Sequence, residues 1–236
     1  MTRLVRAELR AMRQTRSVVL VSALAVAVAA LAAATASAHQ LTDLLRTEIV
    51  VLTLLVLIAG AIAGASEFQY RTISWTLLAT PDRRAAAAAK VVATAVLGAV
   101  IAAAVLGATL AVGVLKEGTV PLGTGAGELV AGQLVLGALT AVFGLTVGVA
   151  LRNMPAAIAS VFTLALVIPL VFEAKPSLEE EARFLPYGEL SAAALSLGSA
   201  PADSGPQLGW VASGVVLLAW TALVGAAAFV RFRADV

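Results

Sequence analysis

The chain has 236 residues, of which 61% are hydrophobic and 13% charged, with a formal net charge of +2 and no cysteine. Globular proteins carry about 25% charged residues, so this composition excludes an ordinary water-soluble domain, and the lack of cysteine excludes disulfides and thiolate metal centres. A sequence this apolar has the lipid bilayer as its solvent.

An α-helix needs about 20 apolar residues to cross roughly 30 Å of hydrocarbon. Six stretches meet that requirement, at 18–38, 49–66, 91–115, 129–151, 155–172 and 209–230, and with their connections they use nearly the whole chain as one membrane domain, 1–236. The expected fold class is an all-α integral membrane protein.

Residues 2–16 come first. Arg3, Arg6, Arg10 and Arg13 recur at three- and four-residue spacing, while Val5, Leu9 and Met12 form an adjoining apolar stripe, the pattern of an amphipathic helix. Such a helix can lie in the interface against anionic headgroups; the alternative is that the arginines are only an orientation signal. The first span runs longer than a signal-peptide core and is followed by further spans, so it is expected to stay in the mature protein. At its outer end stands the sole histidine, His39.

After the second span comes EFQYRTISWTLLATPDRRAAAAAK, residues 67–90. Thr80-Pro81-Asp82 predicts a helix start, with Thr80 as N-cap, Pro81 at the first helical position and Asp82 complementing the dipole. The third helix is thus expected to begin well before it enters lipid. Phe68, Tyr70, Ile73, Trp75, Leu77 and Leu78 are too apolar for an idle loop and too interrupted to span, which predicts a short helix lying on the membrane and offering Arg71, Arg83 and Arg84 to a partner. Tyr70 and Trp75 are equally consistent with simple interfacial anchoring.

Gly60 and Gly64, and again Gly144 and Gly148, have the GxxxG spacing that lets helices approach closely. Pro155 opens the fifth span, and Pro169 predicts a kink near its end. The long connection at 173–207 carries Glu179, Glu180 and Glu181 and then a Leu- and Ala-rich run; its length predicts structure of its own, an interfacial or partly re-entrant helical hairpin around 184–197.

Charge fixes the expected orientation. Twelve of the sixteen basic residues fall on the side of the N-terminus: Arg3, Arg6, Arg10, Arg13, Arg16, Arg71, Arg83, Arg84, Lys90, Arg152, Arg231 and Arg233. Only Arg46, Lys116, Lys175 and Arg183 fall on the other. The positive-inside rule then puts both termini in the cytoplasm, and it accounts for the pI of about 9.4 without nucleic acid. No phosphate-binding GxxxxGK[ST] run, GxSxG elbow or HExxH motif occurs. The span interiors offer only Ser, Thr and Gln133 as polar groups, with acids confined to the edges at Glu48, Glu67, Glu128 and Glu173. Ion-driven carriers usually place ionisable groups inside their spans, so uphill transport here is expected to draw its energy from outside the chain, the alternative being a sodium site built from carbonyls and hydroxyls.

This pattern resembles the membrane subunits of ATP-binding cassette (ABC) exporters of the type-2 permease class. The resemblance rests on six spans with both ends inside, a basic N-terminal helix, and the segment with Glu67, Arg71-Thr72, Leu77-Leu78, Pro81, Arg84 and Lys90; Arg71 stands where many members have Gly. It implies that residues 67–80 form a coupling helix docking on a separate ATPase subunit, with Glu67, Arg71, Thr72, Trp75, Leu78, Arg83 and Arg84 contributing. It also implies a second permease, as homodimer or close heterodimer, in a bacterial inner membrane. ATP and Mg would be held by the partner, with no catalytic, cofactor or metal site in this chain, and the substrate would be hydrophobic or amphipathic. The rival expectations are an ATP-independent channel or carrier and a non-transporting membrane scaffold.

Overall fold

A computed structural model describes residues 2–35, 41–70, 83–118, 126–173, 184 and 210–234. Secondary structure among them is all helical: α1 Thr2–Gln14, α2 Arg16–Thr35, α3 Leu41–Gln69, α4 Arg83–Glu117, α5 Ala126–Leu151, α6 Met154–Phe162, a π-helical turn Thr163–Val167, α7 Ile168–Glu173 and α8 Trp210–Ala234. Five of these, α2, α3, α4, α5 and α8, are long and apolar enough to cross a membrane. This is the architecture of a multi-pass helical membrane protein.

The fifth expected span is the exception. Residues 154–173 are helical throughout, but as two short α-helices joined by the π-turn. Asn153 starts the run: its Oδ1 accepts from the Ala156 N–H at 3.1 Å, and Pro155 stands in the first turn, where its missing donor costs nothing. The π-turn ends two residues before Pro169. Proline cannot donate to the carbonyl four residues back, and its ring crowds that carbonyl. Widening the preceding turn relieves the conflict, so the distortion lies one turn upstream of the predicted kink.

Lipid tails are as apolar as leucine, so close packing rather than hydrophobicity holds such helices together. The centre of the bundle is α3: 61% of its apolar window is buried, against 22% for α2 and 17% for α8. Its tightest partner is α5. A Cβ on Gly60 would run into the Ala141 carbonyl, on Gly64 into Leu145, on Gly144 into Leu57 and on Gly148 into Ala61. The two GxxxG pairs therefore face each other within one chain. Contacts rise together along both helices, from Leu57 with Gly144 to Ala61 with Gly148, so α3 and α5 run parallel. Gly98 of α4 meets Gly137 and Ala141, while Gly137 meets Ala102, so α4 runs antiparallel to α5.

Around this spine, α2 lays Ala25 and Ala29 against a cluster with Val56, Ile101 and Val105. Its last turn is clasped by Lys116 of α4, whose Nζ donates to the Ala34 carbonyl at 3.0 Å. That cation satisfies an orphan carbonyl at a helix C-terminus. The α6–α7 run buries Ala157, Val161 and Ala165 against Leu57, Ala61 and Ala65 of α3. On α8, Gly225 meets Thr146 of α5, and Trp220 donates its Nε1–H to the Phe184 carbonyl at 3.1 Å. Phe184 thus lies beside a residue about 15 Å along α8 from its start. The rest of the expected hairpin, His39, and the Thr80-Pro81-Asp82 helix start lie outside the described residues.

Candidate functional site

The helix directions gather the C-terminal ends of α3 and α5 and the N-terminal end of α4 at one end of the bundle, and α1 joins them there. On α1, Met12 is buried and Val5 and Leu9 are partly buried against Ala63 of α3 and Ala93 and Leu97 of α4. The apolar stripe of the helix is largely covered by protein. The small side chains at 63 and 93 leave the groove that admits Met12. After Gln14 the path continues through Thr15, whose N–H reaches the carbonyls of Ala11 and Met12 at 3.1 Å, so α1 passes into α2 with only a single non-helical residue between them.

Three charged side chains meet at this end. Lys90 of α4 pairs with Glu67 of α3 in a charge-assisted hydrogen bond, and its Nζ lies 3.5 Å from Glu8 Oε2 of α1. Side-chain exposures are 14% for Lys90, 16% for Glu8 and 21% for Glu67. Such partial burial shields the group from the screening that makes exposed pairs nearly worthless. One ammonium therefore ties three helices together, and it does so at the two ends of the 67–90 segment.

A second tie lies beside it. The Arg152 guanidinium carbon sits 5.1 Å from the centre of the Phe68 ring, within cation–π range. Arg152 follows the last residue of α5 and has φ of 56°, the left-handed conformation that a non-glycine residue adopts at a cost of roughly 1–2 kcal/mol. Its N–H still reaches the Gly148 carbonyl at 2.9 Å, closing the helix. This turn aims the side chain back at α3 and frees Asn153 to begin α6.

Of the residues singled out from sequence, Glu67 stands in the ion cluster. Arg84 is exposed in the first turn of α4, and Arg83 is that helix's first residue. Arg71, Thr72, Trp75 and Leu78 lie outside the described residues. Arg3, Arg6, Arg10 and Arg13 are all exposed. Sequence reasoning missed Glu8 and the pairing of Arg152 with Phe68. Glu8 carried a signal: at 100° per residue it falls on the flank of the Val5, Leu9 and Met12 stripe, and a carboxylate there needs a partner.

Inside the bundle, the buried polar side chains among the described residues are Thr53, Thr94, Thr109, Gln133, Thr140 and Ser213, with no charged residue among them. Thr94 and Thr109 return their hydroxyl protons to carbonyls one turn back, Lys90 O and Val105 O. Among the described residues no three His, Asp or Glu side chains converge as metal ligands would. The chemistry of this end is electrostatic and mechanical: charges joining helices, with arginines displayed around them. No protein-family model matches the chain, and no curated protein matches it.

Proposed function

We propose that this chain is the membrane-spanning subunit of an ATP-driven exporter of the ABC type-2 class. In this reading it crosses a bacterial cytoplasmic membrane six times, with α6, the π-turn and α7 as the fifth crossing and both termini in the cytoplasm. It pairs with a second permease and docks on a separate ATPase that binds ATP and Mg. Its cargo is hydrophobic or amphipathic, carried past interior faces of Ala, Val, Leu and Thr.

The observation that carries the reading is the Glu8–Lys90–Glu67 cluster. A segment that receives a push from a motor must hand that push to the spans on either side. Glu67 and Lys90 close the base of the 67–90 segment, and Glu8 adds α1, so displacement there would act on three helices together. The buried polar side chains among the described residues, four threonines, one serine and Gln133, fit the same reading, since none of them is a carboxylate that could carry a proton.

The test is ATP hydrolysis by a candidate ABC ATPase of the same organism, one encoded beside this chain where such a gene is found, in proteoliposomes with and without this chain. The expected outcome is hydrolysis several-fold above the ATPase alone, falling to that baseline with R83A/R84A while insertion is unchanged. Full hydrolysis by the double variant would remove those arginines from the coupling. Substrate flux with no ATPase present would identify a carrier or channel, and binding without any stimulated turnover a scaffold.

A further inference from the structure

Helix α1 presents two unlike faces. Taking 100° per residue, Arg3, Arg6, Arg10 and Arg13 lie within an arc of about 80°, while Val5, Glu8, Leu9 and Met12 lie on the opposite flank and are the residues that touch α3 and α4. Glu8, the only acid in the helix, is engaged by Lys90. None of the four arginines has an ion pair among the described residues, and all are exposed. The helix thus holds itself to the bundle by one side and offers on the other four guanidinium groups that no described carboxylate pairs.

The level at which it does so is fixed by its neighbours. Glu8 reaches Lys90, and exposed large apolar side chains begin on α4 immediately beyond that lysine, at Val91, Val92 and Val96. They begin on α2 at Val19 and Leu20, one turn after exposed Arg16. Exposed valine and leucine on spanning helices mark where hydrocarbon starts. The arginine face therefore lies at the headgroup layer, where a guanidinium can fork two hydrogen bonds onto a phosphate.

We propose that the Arg3, Arg6, Arg10 and Arg13 face of α1 is a binding surface for the phosphate headgroups of anionic lipids. Because the apolar stripe is held by the protein, α1 does not need to insert in order to stay. The arginines read lipid charge rather than anchor the chain. Zwitterionic lipid carries the same phosphate but also its own ammonium, which cancels the attraction. The inference holds whether or not an ATPase docks at this end.

The test uses the full chain in neutral-detergent micelles, titrated with pyrene-labelled phosphatidylglycerol or phosphatidylcholine and followed by energy transfer from tryptophan. Phosphatidylglycerol should bind the tighter of the two, by tenfold or more at low salt, and the advantage should shrink as salt is raised. Each Arg-to-Gln change should cost about fivefold, with R3Q/R6Q/R10Q/R13Q abolishing the preference and R3K/R6K/R10K/R13K retaining most of it. If the quadruple Gln variant fails to insert, the single variants R6Q and R10Q decide, each expected to weaken phosphatidylglycerol alone. Equal affinity for the two lipids, or a preference unchanged by the Gln substitutions, overturns the proposal. Either result would leave the face to a protein partner or to orientation alone.

Discussion

Lys90 bridges carboxylates on two other helices, so its loss would leave Glu8 and Glu67 in a partly shielded site without the ammonium that joins them. Hydrogen bonds to charged groups are worth about 1.5–3 kcal/mol each. K90A should therefore destabilise the chain by roughly 1–3 kcal/mol, read as a lower unfolding temperature in detergent, and E8Q/E67Q in the same background should recover part of it by removing both negative charges. Arg152 makes a different trade: strained backbone in exchange for a guanidinium over Phe68. A double-mutant cycle with F68A and R152A should give a coupling of about 0.5–1 kcal/mol. Zero coupling would mean that the left-handed turn serves only to end α5.

At the scale of elements, glycine placement decides which helices touch. Gly144 sits against the Leu57 backbone, whereas Gly107 of α4 has open space where a Cβ would go. G144L should force α3 and α5 apart and destabilise by about 1–3 kcal/mol or more, while G107A should be neutral or stabilising by up to about 1 kcal/mol through helix propensity. Both are measured by thermal unfolding, and equal effects would contradict the packing described. The spacing of Gly60, Gly64, Gly144 and Gly148 announced close approach, but nothing in a single helix says which partner it meets. That depends on register, here the parallel course of α3 and α5. Five of the six expected spans coincide with helices long and apolar enough to cross, because hydrophobic length is read directly, and Pro155 marked the start of α6. Pro169 marked a distortion whose position shifted by a turn, because the relief occurs at the carbonyls upstream of the ring. Glu67 was legible as a candidate and Glu8 carried a signal on the flank of its stripe, but that both meet Lys90 was not legible, since that partner lies on another helix and ion pairing between helices leaves no periodicity in sequence.

For the molecule as a whole, one end gathers α1, the end of α3, the start of α4 and the end of α5, with Glu8, Glu67, Lys90, Phe68 and Arg152 in contact there. The proposed function needs that end to face the cytosol, where an ATPase can reach it. The chain has no native cysteine, so a single introduced thiol reports orientation without background. Arg84 is exposed in the first turn of α4, six residues before Lys90 on the same helix. A membrane-impermeant maleimide applied to cells expressing R84C should leave the thiol unlabelled while the membrane is intact and label it once the membrane is opened. Labelling of R84C in intact cells would put the cluster on the external face, beyond the reach of any cytosolic motor, and would contradict the proposed function at its base.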